Sequence, residues 1–158
     1  AELRVNPWLR PVIVPKDALG PNEPNADLVL SPNHRVALHH AAAELLFAET
    51  RVLVAAKFML DGVATPFDTG DSGIGYNHLL FYGHEIVVSN GLPSESLYPG
   101  PVALQALDDD AHREISTLFP EALDPELDVE PAGFILKKHE AELLVREIST
   151  SCKRQKAA

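Results

Sequence analysis

The sequence predicts a mainly β fold that is followed by a C-terminal helical extension of about two helices. Six prolines between residues 7 and 32 divide the first quarter of the chain into short pieces that cannot hold a long helix. The pieces between these prolines are rich in β-branched residues with alternating character, which is typical of strands. Beyond Pro101, apolar residues recur at intervals of three and four, which is typical of amphipathic helices.

The first strands are expected at residues 10–14, 27–31 and 34–38, with the sequences RPVIV, DLVLS and HRVAL. The stretch LGPNEPNA forms a loop between the first two. Two apolar runs follow, AELLF at 43–47 and RVLVAAKFML at 51–60. Each run fits either a buried strand or a strand followed by a helical turn, because hydrophobic periodicity does not distinguish these in short segments.

A β-hairpin is expected next. The segments YNHLLF (76–81) and HEIVVSNG (84–91) flank Tyr82-Gly83, and a glycine supplies the positive φ that a tight turn needs. Asn90-Gly91 marks a second turn. The following SES (94–96) places Glu95 either at a site or in a solvated loop.

Two helices are expected in the last third. In VALQALDDDAHREISTLF one helical face collects Leu104, Leu107, Ala111, Ile115 and Leu118. In FILKKHEAELLVREI the corresponding face holds Leu136, His139, Leu143 and Ile148, while Lys138, Glu142 and Arg146 form i,i+4 pairs. The predicted division is a β domain at 1–100 and a helical extension at 101–158 packed on it, with a disordered basic tail from about residue 150.

Composition excludes several classes of protein. With 158 residues, 46% of them hydrophobic, the chain is long enough for one compact domain with a core. The net charge of −10 argues against a nucleic-acid or anionic-membrane partner, which would need clustered Lys and Arg. The sequence has no 18-residue apolar run of the kind that spans a membrane. Its single cysteine, Cys152, excludes an internal disulfide and a multi-thiolate zinc site, and leaves the compartment open.

The usual enzyme motifs are missing from the sequence. It holds no GxSxG, no GxxxxGK[ST], no GxGxxG after a strand and no HExxH, so we expect no cofactor. Seven histidines remain as candidates, and four of them are read as surface or hydrogen-bonded imidazoles: His39, His40, His112 and His139. A zinc site formed by His34, His78 and His84 is kept as an alternative.

The segment LVLSPNHRV (28–36) resembles a block of Hint domains, the module shared by inteins and the autoprocessing part of hedgehog proteins. In that block an apolar strand precedes Thr-x-x-His, and Ser31 and His34 stand at the Thr and His positions. The stretch 76–96 resembles later blocks of the family. Four further segments are similar to bacterial Hint-domain proteins, so that the resemblance covers roughly residues 9–145 in family order: LRPVIVPKDALGPNEP, AELLFAETRVLVAAKFMLDG, GLPSESLYPG and LKKHEAELL.

The resemblance implies a partial Hint-like β fold that cleaves its own backbone through an N-to-S or N-to-O acyl shift. It implies that His34 protonates the leaving amide nitrogen and that Ser31 orients the imidazole or the scissile amide. His84 or His78 would then assist hydrolysis of the ester or thioester by water. Asn90 matches a later block, and its alternative reading is a turn residue.

The sequence also departs from the family. Hint domains begin with the nucleophile, usually Cys, whereas this chain begins AELRV and its one cysteine lies in the tail. We therefore expect cleavage only if an upstream segment supplies the nucleophile, and the partner implied is the protein's own upstream polypeptide. Strand edges would be covered by that segment, a complementing fragment or a second copy of the chain. The alternatives are a non-catalytic binding or assembly module derived from a Hint domain, and a His-based metal-binding protein.

Overall fold

The structure is a computed structural model that describes residues 9–60, 62–70, 74–98, 107, 109–124 and 129–156. These residues form eight strands in two sheets and three α-helices, two of which follow the strand-rich part of the chain. This arrangement confirms the predicted mainly β fold with a C-terminal helical part.

The smaller sheet has three antiparallel strands in the order β2-β1-β5. Its strands are β1 (Val12–Val14), β2 (Leu28–Leu30) and β5 (Thr65–Pro66). The outer residues of β1 and of β2 are buried and the middle residue of each is more exposed, as the alternating pattern of these segments predicts. The first two predicted strands are confirmed.

The larger sheet has five strands in the order β6-β7-β3-β4-β8. Its strands are β3 (Arg35–Leu38), β4 (Val52–Ala55), β6 (Ile86–Ser89), β7 (Leu92–Glu95) and β8 (Phe134–Ile135). All pairs are antiparallel except β4 with β8. Strand β4 is buried along its whole length, which explains its continuous apolar sequence.

The two ambiguous apolar runs adopt different structures. For residues 43–47 both expected alternatives are wrong, because the segment lies in helix α1 (Ala41–Phe47). The N-terminus of α1 is capped by His40, whose Nδ1 accepts a hydrogen bond from the Ala42 N–H at 3.1 Å. The second forms β4 and then a 3-10 turn (Ala56–Phe58). A strand followed by a helical turn is therefore the correct description of residues 51–60.

The predicted hairpin around Tyr82-Gly83 is wrong, because residues 74–85 form no strand. The hairpin lies one turn later, between β6 and β7, and its turn is Asn90-Gly91. These two residues have φ values of 50° and 76°, as a two-residue turn with both central residues in the left-handed region requires. The second predicted turn, Asn90-Gly91, is therefore the turn of the hairpin, and it fits the register in which β6 and β7 pair.

Helix α2 (Asp109–Leu118) follows, and a 3-10 turn (Pro120–Leu123) continues from it. Ile115 is buried as the sequence predicts, whereas Leu118 is 57% exposed; Leu104 lies outside the described residues. This region has a small apolar cluster of its own, which consists of Leu97, Ile115 and Ala122 with the partly buried Leu80, Leu107, Phe119 and Leu123.

Helix α3 (Lys138–Lys156) packs into the main core through a face that differs from the predicted one. Its buried apolar residues are Ala141, Leu144, Val145 and Ile148. His139 and Leu143, which were predicted on that face, are exposed, and Leu136 is buried but precedes the helix. The predicted pair of Lys138 and Glu142 is present, with 3.8 Å between Nζ and Oε1.

The helix α3 continues through residue 150 to Lys156, where the sequence predicts a disordered tail. Its apolar residues join those of β1, β2, β3 and β4 in one cluster. The division of the chain near residue 100 stays a prediction. Within the described parts of the chain, none of the helices combines the length and the apolar character needed to cross a bilayer.

Candidate functional site

The site is organised around the turn that joins β2 to β3. The His34 N–H donates to the Ser31 carbonyl at 3.1 Å, which closes the Ser-Pro-Asn turn. From the other side, the Ala56 N–H donates to the His34 carbonyl and the Lys57 N–H donates to the Pro32 carbonyl, both at 2.9 Å. The segment after β4 therefore fixes the backbone on both sides of His34.

A buried carboxylate lies beside this turn. Strands β3 and β7 pair with Val36 opposite Ser94, so Arg35 and Glu95 are neighbours across the sheet. Glu95 Oε1 accepts from the Arg35 N–H at 2.8 Å, and Oε2 accepts from Arg35 Nη1 at 2.8 Å. Glu95 is 6% exposed, so hydrogen bonds from these protein donors, rather than from water, stabilise its carboxylate.

His84 completes this cluster. Its ring lies 3.1 Å from Glu95 Oε2 through Nε2, and its Nδ1 accepts from the Ala132 N–H at 3.0 Å. Because Nδ1 accepts, the proton of the neutral ring sits on Nε2 and is donated to Glu95. The ring also packs on Tyr98, with 4.8 Å between centroids.

Both nitrogens of His84 thus have protein partners. Burial lowers the pKa of His84, and Arg35 lowers it further, while the carboxylates of Glu95 and Glu85 raise it. Protonation of Nδ1 would place its N–H against the N–H of Ala132, and two donors repel each other. The neutral imidazole therefore fits this environment better than the imidazolium. The catalytic role of His84 stays a prediction. Its two hydrogen bonds are typical of a residue that positions its partners, here the Glu95 carboxylate and the Ala132 backbone.

His34 is in a different position. Its Nε2 is the one buried side-chain nitrogen or oxygen within the described ranges that has no hydrogen-bond partner. Burial lowers the pKa of His34, with smaller lowering effects from His78, Arg35 and His84, and Glu95 opposes them. The imidazole is therefore neutral at pH 7, and its Nε2 has no hydrogen-bond partner among the described residues.

The structure places the other predicted residues around His34 with different degrees of contact. Ser31 is partly buried and contacts His34 through its backbone carbonyl. His78 is exposed on the irregular segment that precedes His84, and it is close enough for its charge to lower the pKa of His34. Three predicted residues, His34, His78 and His84, are thus brought together.

Asn90 lies elsewhere, at the turn end of the β6–β7 hairpin, whereas Glu95 lies at its open end. Its Nδ2 donates to the Asp27 carbonyl at 2.9 Å, and its own carbonyl accepts from the Asn25 N–H at 2.8 Å. These contacts fasten the hairpin to the loop before β2. They support the turn reading of Asn90 that the sequence left open.

Cys152 lies in helix α3, where its Sγ donates to the Leu19 carbonyl at 3.4 Å. It packs against the main core and is partly buried.

Sequence reasoning left Glu95 undecided between a site and a solvated loop, and it did not single out Arg35. The partners of Glu95 are 60 and 11 residues away along the chain, so no local pattern reveals them. The sequence feature that could have drawn attention to Glu95 is its position between two serines at the end of a short strand.

No group of three or more His, Cys, Asp or Glu side chains that could hold a metal ion occurs in the part of the chain that the structure describes. In the cluster above, Nδ1 of His84 already accepts a backbone N–H. The His-based metal alternative therefore gains no support from this geometry.

We expect folding stability to fall as the pH drops below about 6.5. The pKa values of His34 and His84 are lowered from 6.5 in the folded chain, so the unfolded chain binds more protons in the window below 6.5. The slope of unfolding free energy with pH is then positive there, and stability is lost as the pH falls. Urea unfolding at pH 7.5, 6.5 and 5.5 measures this loss.

The control for this pH dependence is His39→Ala, because His39 is exposed. It should retain the full pH dependence, whereas His34→Ala should show a smaller one. Equal stability at pH 7.5 and 5.5 in the wild-type chain would contradict the lowered pKa values.

A family model described as "Hint domain" matches residues 1–101. The match covers 101 of the 158 residues and contains His34, His84 and Glu95. No curated protein and no solved structure matches the chain.

Proposed function

Because the chain belongs to the Hint-domain family, we propose that it supplies the acid–base part of a self-cleavage reaction, in which His34 transfers the proton. The substrate is a peptide bond of the protein's own upstream polypeptide. The nucleophile, a Cys or Ser as in relatives of this family, lies upstream of Ala1 in this proposal.

The proposed reaction has two steps. The thiol or hydroxyl of the nucleophile attacks the carbonyl carbon of the peptide bond before it, a C–S or C–O bond forms, and the C–N bond breaks. The proton of the nucleophile passes through an imidazole to the departing nitrogen, which becomes an amine. Water then hydrolyses the thioester or ester, which releases a carboxylate and regenerates the thiol or hydroxyl.

One observation carries the assignment of the proton transfer to His34: its Nε2 is buried and has no partner within the described residues. A buried polar atom without a partner is costly unless a bound group completes it, and a scissile peptide is such a group. The lowered pKa of His34 suits the task as well, since a weakly basic imidazole becomes a strong acid once it is protonated. An amide nitrogen needs a strong acid because it is a poor base.

The neighbouring residues have secondary roles in this proposal. Ser31 lies at the start of the turn that ends at His34, from where its hydroxyl would orient the imidazole or the scissile amide. His78 is exposed and acts electrostatically on His34, which suits a residue that assists the attack of water on the thioester or ester. His84 is bonded at both nitrogens, so it is the less suitable of the two.

The proposal is tested by the intact mass of a version of the protein that includes the natural residues upstream of Ala1. We expect the precursor to disappear with time and two products to appear whose masses sum to that of the precursor plus water. Hydroxylamine should accelerate the release, because it attacks thioesters and activated esters. Replacement of the upstream Cys or Ser by Ala is the control and should leave the precursor intact, and a precursor whose mass never changes would overturn the proposal.

A non-catalytic binding or assembly module is the second candidate. In the described part of the larger sheet, β6 is an edge strand, and its Val88 is 72% exposed. An exposed edge with an apolar side chain is suited to pairing with a strand from another segment or a second copy. An unchanged precursor mass together with a dimer in light scattering would favour this candidate over self-cleavage.

A further inference from the structure

We infer that Glu95 is the positioning residue of His34: its carboxylate fixes the peptide that follows His34 and ties it to the buried cluster of Arg35 and His84. The inference rests on the proposed function, because it assigns Glu95 a part in the proton transfer at His34. Neither the family resemblance nor the sequence motifs assign a role to this residue.

Glu95 contacts the backbone directly after His34. Glu95 Oε1 accepts from the Arg35 N–H at 2.8 Å, so the carboxylate binds the peptide group between His34 and Arg35. The other contacts of this backbone come from main-chain groups, namely the Ser31 carbonyl and the Ala56 N–H. Glu95 therefore supplies a side-chain contact that fixes the backbone position from which the His34 ring extends.

The carboxylate of Glu95 is itself held firmly. Its Oε2 accepts from Arg35 Nη1 at 2.8 Å and from His84 Nε2 at 3.1 Å. His84 is anchored in turn by the Ala132 N–H at 3.0 Å and is packed on Tyr98. Hydrogen bonds to a charged acceptor in a buried place are short and strong, so this network holds one geometry.

Glu95 also acts on His34 through its charge. Among the described residues, the ionisable groups with the largest effects on the pKa of His34 are Glu95, His78, Arg35 and His84, and of these four Glu95 is the one whose charge favours protonation of the ring. Its negative charge would stabilise the imidazolium that forms when His34 takes the proton of the nucleophile. Both of its oxygens are occupied by protein donors, so Glu95 acts through His34 and does not touch the reacting atoms.

The test uses the 158-residue chain, so it does not depend on whether cleavage occurs. In Glu95→Gln we expect amide hydrogen exchange at Arg35 to accelerate about 10- to 100-fold, because a neutral amide replaces the charged acceptor of this hydrogen bond. We also expect the NMR titration midpoint of the His34 ring to fall. The matched control is Glu85→Gln: Glu85 is exposed, lies next to His84 and is not among the groups that dominate the pKa of His34, so both readouts should stay close to wild-type values.

Two further variants separate positioning from a merely structural role. Arg35→Met keeps the backbone contact with Glu95 but removes a positive charge, so the His34 midpoint should rise. The double variant Glu95→Gln/Arg35→Met removes both charges, so the midpoint should lie between those of the two single variants. Loss of packing alone would not produce this order.

Unchanged Arg35 exchange and an unchanged His34 midpoint in folded Glu95→Gln would overturn the inference. If Glu95→Gln does not fold, Arg35→Met decides, since an unchanged midpoint there would show that the cluster does not act on the ring. A chain that shows the expected titration shifts but never cleaves in its extended form would overturn the proposed function and leave the contact between Glu95 and His34 intact.

Discussion

In the upstream-extended chain, His34→Ala is expected to slow self-cleavage by about 10²–10⁴-fold, the range that general acid–base catalysis by one side chain supplies. The imidazole is the group with a buried, unpartnered nitrogen at the turn, so its removal leaves the departing nitrogen without a proton donor. The rate of precursor loss by intact mass, measured at pH 7, gives the size of the effect.

The matched control is His39→Ala. His39 is exposed just beyond the far end of β3, so its loss should leave the cleavage rate within about twofold of the wild type. Circular dichroism should show both variants folded, because the His34 Nε2 makes no hydrogen bond whose loss would weaken the fold. Equal cleavage rates in His34→Ala and the wild type would remove His34 from the reaction.

The turn that holds His34 could be predicted from the sequence because it depends on local features. A short apolar strand, a Ser-Pro-Asn turn and the next strand follow one another within eleven residues, and each is specified by nearby proline or β-branched residues. The turn contact between the His34 N–H and the Ser31 carbonyl spans three residues. A turn that is closed by residues three positions apart can be predicted from a single sequence.

The environment of His34 could not be found in the same way. Glu95 reaches Arg35 across the sheet through a pairing of strands that are far apart in the chain, and the sequence does not reveal which strands pair. The misplaced hairpin has a related cause. Residues 76–81 have the composition of a strand, but tertiary contacts decide their structure: the Leu79 carbonyl accepts from the Leu97 N–H at 2.7 Å, and no ladder forms.

The C-terminal helix shows a third limit. Leu143 and Leu144 are adjacent, so two helical faces that differ by one residue fit the apolar pattern nearly equally well. The prediction counted the face from Leu136, but Phe134–Ile135 forms β8 and the helix begins only at Lys138. The packing of the helix into the main core, rather than its own periodicity, decides that Leu144 is buried and Leu143 is 44% exposed.

Leu144→Ala is accordingly expected to lower the free energy of unfolding by about 2–5 kcal/mol, whereas Leu143→Ala should change it by less than about 1 kcal/mol. Leu144 is fully buried in the cluster that α3 shares with β1 to β4, so its truncation leaves a cavity in that core. Urea unfolding followed by circular dichroism in the far and in the near ultraviolet measures both variants.

The shape of the transition carries a second conclusion. If α3 and the strands form one cooperative unit, Leu144→Ala shifts a single transition that both probes report alike. If the helical part unfolds on its own, the circular dichroism signal of the variant splits into two steps and the strand-rich part keeps its wild-type midpoint. Comparable losses in Leu143→Ala and Leu144→Ala would contradict the burial of Leu144, and with it the packing of α3 into the main core.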